Sequence, residues 1–363
     1  MNGENADVLI AAGGTGGHIF PALAFGDWLR TQGKAGRIRY LSGNRPLEAE
    51  IYRSQGIEPI QLPLSGSPLG SSSAARNLRR WAALARSFAQ TGILMRRDRP
   101  DVCFLFGSYV SLAPLLWCRL LRIPAVMHEQ NACAGKVTRL AARLGIPVAS
   151  GWDECRGLNS GSFTPVGVPV RALKRISRRE AAAALGLEIW EDDFVAGVIG
   201  GSLGSASLET LVERLSVAPD KLKKRLVLVI LGSASKPLGP GVHFVGKRWD
   251  MTPFYSLCDA VLCRAGASTL AELAAYGIPA LVIPWMEAAD GHQEANALNF
   301  VRKTGNILCA EDDEEGLGKA LRSLMERHAP NISPVFEDLA SPALWNALIP
   351  PNGRHDFSLS SHP

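Results

Sequence analysis

The chain has 363 residues, 47% of them hydrophobic and 20% charged, with seven cysteines and a formal net charge of +5. This composition excludes disordered, collagen-like and disulfide-dense classes, and the length predicts two domains of roughly 150–180 residues, each able to bury its own core. No basic-then-apolar signal segment opens the sequence, the uncharged run from Val102 to Cys118 is short for a membrane span, and the cysteines lack CxxC or Cys/His spacing, so we expect a reducing, cytoplasmic setting and no metal site.

The charge is uneven. Residues 1–165 carry 19 Lys and Arg against 11 Asp and Glu, whereas residues 166–363 carry 20 against 23. With no aromatic-and-basic RNA motif and no recognition helix, the basic half is expected to face an anionic phospholipid surface and not nucleic acid.

Asp7 to Ala12 reads as a buried strand, followed by Gly13-Gly14-Thr15-Gly16-Gly17-His18 and an apolar helix from about Ile19 to Thr31. The turn resembles a dinucleotide loop, but Ile19 breaks the GxGxxG spacing, and the second strand (Ile38 to Ser42) ends in Ser-Gly-Asn instead of an acid for an adenosine ribose. His18 falls at the C-terminal edge of a parallel sheet, where α/β folds bind ligands; the alternative is a histidine that only caps or packs.

Helices around 46–55, 74–97 and 113–121 alternate with apolar strands at 101–106 and 123–127, which predicts a parallel, doubly wound sheet. The loops Gly107–Ser111 and His128-Glu129-Gln130-Asn131 leave its strand ends and are site candidates. Between Pro59 and Arg97 there is no acidic residue, but there are six arginines (76, 79, 80, 86, 96 and 97). Leu78, Trp81, Ala85 and Phe88 share one helical stripe, which suits either the core or an anionic headgroup layer.

Pro165, Gly167 and Pro169 mark the expected junction between an N-terminal domain, 1–165, and a C-terminal one, 166–340; residues 341–363 are expected to be a partly disordered tail. A second βα series begins with a strand at 194–199 and a phosphate-type turn at 200–205, and continues with strands at 226–231 and 242–245. Ala260–Cys263 then feeds Arg264–Thr269, small residues that open a helix closed by Gly277, so backbone N–H groups are offered to an anion. Glu272, one turn on, either accepts from a ribose diol or complements the helix dipole. A further strand, Pro279–Trp285, precedes a helix on which Gln293 and Asn296 share a face and suit a hydroxyl-rich ligand. Together these features point to a nucleotide sugar in a cleft between two Rossmann-like halves. The acidic run Glu311–Glu315 reads as a charge cluster at a helix start.

As a set, GGTGGH (13–18), HEQN (128–131), GGS (200–202), CRAGASTLAE (263–272) and HQEANA (292–297) resemble the MurG family over residues from about 7 to about 330. These are two-domain GT-B enzymes of bacteria, UDP-N-acetylglucosamine:undecaprenyl-diphospho-muramoyl-pentapeptide N-acetylglucosaminyltransferases. The resemblance implies an α/β GT-B fold, transfer of GlcNAc from UDP-GlcNAc to the C4 hydroxyl of MurNAc in lipid I to give lipid II for peptidoglycan, and no metal or other cofactor. It also implies a peripheral position on the cytoplasmic face of the inner membrane, with a cell-wall synthesis complex as a further partner. Uracil would meet backbone near Arg248 and the ribose Glu272, while the diphosphate would meet Ser202, Arg171 and the amides of Ala267, Ser268 and Thr269. The sugar would meet Gln293 and Asn296, with Thr15, Gly16, Gly17 and Asn131 also facing the donor. The acceptor would lie against His18, Tyr109, His128, Glu129 and Asn131. An α-linked donor and a β-1,4 product require inversion, hence one base on the acceptor hydroxyl, either His18 or Glu129. Ser108 stands where the family has a second glycine, Leu203 where it usually has Gln, and Ser205 where it usually has Ala, while Leu112-Ala113 interrupt what is usually a Gly-Pro. Two other functions fit the same pattern: a different GT-B enzyme on UDP-GlcNAc (a glycolipid glycosyltransferase or a 2-epimerase), and a non-catalytic nucleotide-sugar-binding subunit.

Overall fold

The computed structural model of the protein describes residues 5–66, 74–200, 225–232, 239–288, 291–326 and 338–348. Its first sheet has the order β3-β2-β1-β4-β5-β6-β7 and is parallel throughout. The strands are β1 (Ala6–Ala11), β2 (Ala35–Ser42), β3 (Ile60–Gln61), β4 (Val102–Leu105), β5 (Ala125–Glu129), β6 (Val148–Ser150) and β7 (Thr164–Pro165). Both faces of this sheet are covered: along β1, Val8 and Ile10 enter one apolar cluster, and Leu9 and Ala11 the opposite one. That two-sided burial explains why the strands read as unbroken apolar runs and not as alternation.

The second sheet, order β10-β9-β8-β11-β12-β13, is also parallel. It comprises β8 (Phe194–Ile199), β9 (Leu226–Ile230), β10 (Val242–Phe244), β11 (Ala260–Cys263), β12 (Ala280–Val282) and β13 (Ile307–Leu308). In each sheet the strand order reverses beside the first strand, between β1 and β4 and between β8 and β11. Crevices at such reversals, outside the carboxyl ends of the strands, are where open α/β sheets bind ligands. Helix α1 (Gly16–Thr31) leaves the first reversal and packs across the cleft on α8 (Ala267–Ala275), which leaves the second.

The remaining helices are α2 (Pro46–Ser54), α3 (Ala74–Arg97), α4 (Leu112–Leu121), α5 (Lys136–Arg143), α6 (Arg178–Leu185), α7 (Thr252–Leu257), α9 (His292–Thr304), α10 (Glu314–Glu326) and α11 (Ala340–Asn346). Two expectations are corrected here. The HEQN segment is not wholly a loop, because β5 continues through His128 and Glu129. Nor do residues 341–348 belong to a tail. Helix α11 returns to the N-terminal body, where Leu344 is fully buried in the core cluster of β1 and β4, and Trp345 stacks on Phe104 with ring centroids 5.9 Å apart. Asp338 caps this helix, its Oδ1 accepting from the N–H groups of Ala340 and Ser341, both at 3.1 Å. Seven residues give too short a periodicity to reveal such docking, and the polar composition that follows conceals it. The expectation of disorder from Pro350 onward lies outside the described residues. None of the seven cysteines forms a disulfide, and among the described residues no helix is long and apolar enough to cross a membrane.

On α3 the apolar stripe divides. Phe88 stacks on Trp117 at 4.8 Å and its carbonyl accepts from the indole N–H, so this end belongs to the core. Leu78 (73% exposed), Trp81 (50%) and Ile93 (66%) are left on the surface.

Candidate active site

The site starts at the end of β1, where Gly14 takes φ +89° and Thr15 enters α1 as an N-cap residue whose side chain makes no capping bond. No acidic residue occupies the first turn, so the N–H groups of Gly16 and Gly17 meet no capping side chain. The half-buried His18 follows. Its Nδ1 lies 2.6 Å from Oε1 of Gln130, and its ring rests on Gly107, where a Cβ would come within 3.4 Å of Cε1. Gly107 has φ +70°, so glycine is favoured there by the backbone, while a Cβ would only touch the imidazole.

His128 is fully buried, its ring 5.2 Å from that of Phe106, and its Nε2 is 2.9 Å from the carbonyl of Gly167. Burial pushes its pKa down to about 4, so the ring is neutral near pH 7. Glu129, 3% exposed, accepts four hydrogen bonds inside its own connection: from the N–H (3.1 Å) and Nδ2 (3.2 Å) of Asn131, from the N–H of Gly135 (3.0 Å) and from Oγ1 of Thr138 (2.6 Å). Both of its oxygens are therefore committed to shaping the 129–138 segment, and the histidine of the first loop is held by Gln130 instead. Asn131 in turn reaches the other domain, accepting from Nδ2 of Asn296 at 3.1 Å.

Tyr109 donates to Oε1 of Glu48 at 2.6 Å, and Oε2 of that fully buried carboxylate accepts from the N–H of Gly43. Desolvation, then the hydrogen bond to Glu48, pushes the Tyr109 phenol above its ordinary value, so it stays a donor. Glu48 had no distinguishing signal in the sequence, since a carboxylate in a first helical turn looks like a dipole partner.

In the second domain, α8 begins after Gly266 with no side-chain cap and no acidic residue in its first turn, leaving the N–H groups of Ala267, Ser268 and Thr269 without a capping side chain. Gln293 accepts through Oε1 from the N–H groups of Ala265 (3.2 Å) and Trp285 (2.9 Å), and its Nε2 has no partner among the described residues. Asn296 behaves differently from its helical neighbour. It is fully buried, accepts from the N–H of Ala132 at 2.7 Å and donates to the carbonyl of Ala265 at 3.0 Å as well as to Asn131. Both amides thus grip the peptide groups of Ala265, but only Gln293 has an amide donor with no partner among the described residues.

Glu272 accepts from the Tyr255 hydroxyl at 2.7 Å and lies 3.6 Å from a guanidinium nitrogen of Arg171. Burial raises its pKa, while Arg171 and Tyr255 oppose the rise. Arg171 also donates to the carbonyl of Trp249 at 2.8 Å and sits over the Phe20 ring, 4.2 Å from its centroid. It therefore joins α1, the crossover between domains and the second domain, and is engaged at Glu272, not at the start of α8. A cavity of about 390 Å³ opens here, lined by Trp28, Arg171, Trp249, Tyr255, Glu272 and Tyr276 among others. Arg248 donates to the carbonyl of Val245 at 3.0 Å, at the edge of the second sheet. Ser202, Leu203 and Ser205 lie outside the described residues. The acidic run is more than a charge cluster, because Glu311 forms a bidentate pair with the buried Arg264 at 2.8 and 2.9 Å. Among the described residues no three His, Cys, Asp or Glu side chains gather as metal donors.

Comparisons agree with this geometry. Residues 8–146 match the glycosyltransferase family 28 N-terminal domain, and residues 195–333 the corresponding C-terminal domain. A UDP-N-acetylglucosamine–N-acetylmuramyl-(pentapeptide) pyrophosphoryl-undecaprenol N-acetylglucosamine transferase of Bordetella parapertussis is 35% identical over 298 residues, 80% of either chain. The protein of the same name from Halorhodospira halophila is 34% identical over 337 residues, 88% of this chain and 89% of the relative. Among solved structures, Acinetobacter baumannii MurG superposes with a TM-score of 0.61 at 24% identity over 94% of each chain. A putative UDP-N-acetylglucosamine 2-epimerase of Listeria monocytogenes reaches 0.63 at 13% identity, covering 93% of this chain and 94% of its own. Fold likeness alone therefore does not separate transferase from epimerase; the sequence relationship does.

Proposed function

The chain belongs to glycosyltransferase family 28, among the UDP-GlcNAc transferases that act on undecaprenyl-linked muramyl pentapeptide, and from this membership we propose that it transfers GlcNAc from UDP-GlcNAc to the C4 hydroxyl of MurNAc in lipid I, with inversion, to form lipid II. The observation that carries the reading is the hydrogen bond between Asn131 and Asn296. It draws the HEQN and HQEANA segments together, so that the histidine loop of one domain and the uncapped start of α8 in the other border one cleft.

In that cleft the diphosphate is met by the N–H groups of residues 267–269, whose positive helix end stabilises the charge that grows on the leaving group. Glu272 accepts from the ribose hydroxyls, which requires that its contact with Arg171 yield or be shared; the long 3.6 Å separation favours this. The Nε2 amide of Gln293 donates to the GlcNAc hydroxyls. Asn296 acts indirectly, by holding Ala265 and Asn131. His18 is the base: its Nε2 meets no partner among the described residues, whereas both Glu129 oxygens are occupied. Glu129 shapes the acceptor side.

A polyprenyl-linked acceptor stays in its bilayer, so the enzyme must reach a membrane surface. The exposed Leu78, Trp81 and Ile93, together with exposed Arg79, Arg86, Arg96 and Arg97 on the same helix, support peripheral docking through α3 to an anionic cytoplasmic leaflet. Association with other cell-wall enzymes would follow from that position.

The decisive test is transfer of labelled GlcNAc from UDP-GlcNAc to a lipid I analogue. His18→Ala should lower turnover by roughly 10²–10⁴ with UDP-GlcNAc affinity nearly intact. Consumption of UDP-GlcNAc without any lipid acceptor would favour an epimerase, and binding without turnover a non-catalytic subunit.

A further inference from the structure

Gln130 is 1% exposed, and its side chain joins two histidines whose rings do not meet otherwise: Oε1 faces Nδ1 of His18 at 2.6 Å, and Nε2 faces Nδ1 of His128 at 2.8 Å. The oxygen and nitrogen of an amide are alike in size, so the groups around it whose roles are fixed determine its orientation. Two backbone carbonyls supply this. Gln130 Nε2 is also 3.0 Å from the carbonyl of His128, which can only accept, so the NH2 end must point there. His128 Nε2 is 2.9 Å from the carbonyl of Gly167, so this nitrogen carries the proton and Nδ1 of the neutral ring is left as an acceptor for the same NH2. Both constraints turn the Gln130 carbonyl toward His18.

We infer that Gln130 is a positioning residue that fixes His18 as its Nδ1–H tautomer and so leaves Nε2 as the basic nitrogen facing the acceptor. The inference rests on the reading of His18 as the base. An amide carbonyl accepts but cannot donate, so the facing Nδ1 must hold a hydrogen in the neutral ring and keeps it in the imidazolium. For a free imidazole side chain the other tautomer is favoured, with the proton on Nε2, where it would block proton abstraction. The logic is that of a triad in which a third group orients the base, except that the third group is neutral. Because Gln130 brings no charge, its contribution is geometric: it fixes one tautomer and one ring orientation. The chain of bonds ends on Gly167, at the start of the crossover between domains, and the main chain of Gln130 is held by Trp152, whose indole N–H donates to the Gln130 backbone carbonyl at 2.8 Å.

Nitrogen-15 spectra of the full-length protein labelled at its seven histidines, with His18→Ala used for assignment, read the tautomer directly. The expected result for His18 at a pH where it is neutral is a protonated, pyrrole-type Nδ1 and an unprotonated, pyridine-type Nε2. Gln130→Met, which keeps length and volume but removes both hydrogen-bonding groups, should shift His18 toward the Nε2–H form. It should also lower kcat by about 10- to 100-fold, part of what a positioned base contributes, with the Kd for UDP-GlcNAc unchanged. A pyrrole-type Nε2 in the wild-type spectrum, which needs no variant to fold, would overturn the assignment; so would Gln130→Met with an unaltered tautomer or full kcat. Full turnover by His18→Ala beside a pyridine-type Nε2 would instead remove the base reading, and with it the role of Gln130 in catalysis, while leaving the tautomer standing.

Discussion

Asn296 Nδ2 donates to Oδ1 of Asn131 at 3.1 Å, joining the two domains at the bottom of the cleft through a side chain with no exposed surface. The exposed ion pairs between the domains, Lys247 with Glu50 and Arg302 with Glu154, contribute little by comparison, because water screens them and long side chains must be ordered to form them. Asn296→Ala would leave the N–H of Ala132 and the carbonyl of Ala265 unpaired, at about 1–3 kcal/mol for each buried group, unless the cleft opens to admit water. The expected outcome is a lower denaturation midpoint together with a larger radius of gyration by small-angle scattering. An unchanged midpoint and size would deny Asn296 the role of a clamp.

Ser108 has φ +64° and ψ 169°, a conformation that is nearly the preserve of glycine. Such strain costs on the order of 1–3 kcal/mol, partly offset in the glycine variant by the greater freedom of its unfolded chain. Ser108→Gly should therefore stabilise the protein by about 1 kcal/mol in urea denaturation. A loss of stability would mean that the Ser108 hydroxyl, packed over Gly14, contributes more than the strain takes away.

His128 titrates near 4 when folded against an ordinary value of 6.5. The unfolded chain then binds a proton that the folded one refuses, so the stability present above pH 6.5 declines as pH falls toward 4. His128→Gln should flatten the pH dependence of the denaturation midpoint over that window. An equally steep slope in the variant would assign the acid loss to other groups.

For the donor, Glu272→Ala should weaken UDP and UDP-GlcNAc alike by about 1.5–3 kcal/mol, since the ribose is common to both and the lost bonds are charge-assisted. Gln293→Ala should weaken UDP-GlcNAc more than UDP; equal losses in calorimetry would take Gln293 out of the sugar site. The raised pKa of Glu272 means that the folded protein holds its proton more tightly, so this carboxyl favours folding at low pH and opposes it as pH rises past its folded pKa. Without ligand, Glu272→Gln is accordingly expected to be at least as stable as the parent at neutral pH, and a clear loss there would show that Arg171 depends on the charge.

At the surface, changing Arg79 and Arg86 to Glu, or Trp81 to Glu, should reduce sedimentation with anionic vesicles and leave turnover of a soluble acceptor analogue largely intact. Wild-type binding should fall with added salt, each basic residue near the headgroups contributing about 1 kcal/mol. Vesicle binding indifferent to these changes would return the exposed end of α3 to some other partner.

The doubly wound sheets, the glycine turn before His18, the open start of α8 and the family itself were all legible in the sequence. Each depends on local signals: apolar runs buried on both faces, glycines where the backbone must turn, small residues where an anion approaches. What tertiary structure alone decided is how the polar side chains are spent. Gln293 and Asn296 share a helical face and look equivalent by spacing, yet one keeps a donor free and the other is consumed by Ala132, Ala265 and Asn131. Glu129 reads in the sequence as an alternative base to His18, and the structure spends both of its oxygens on the segment it folds, while Gln130, in the same motif, is the partner of His18. Helix α11 reveals its docking only against β4. Hydrogen-bond partners more than a hundred residues apart leave no period in the sequence, because they are set by strand order within a sheet, as for His18 and Gln130, or by the contact between the two domains, as for Asn131 and Asn296.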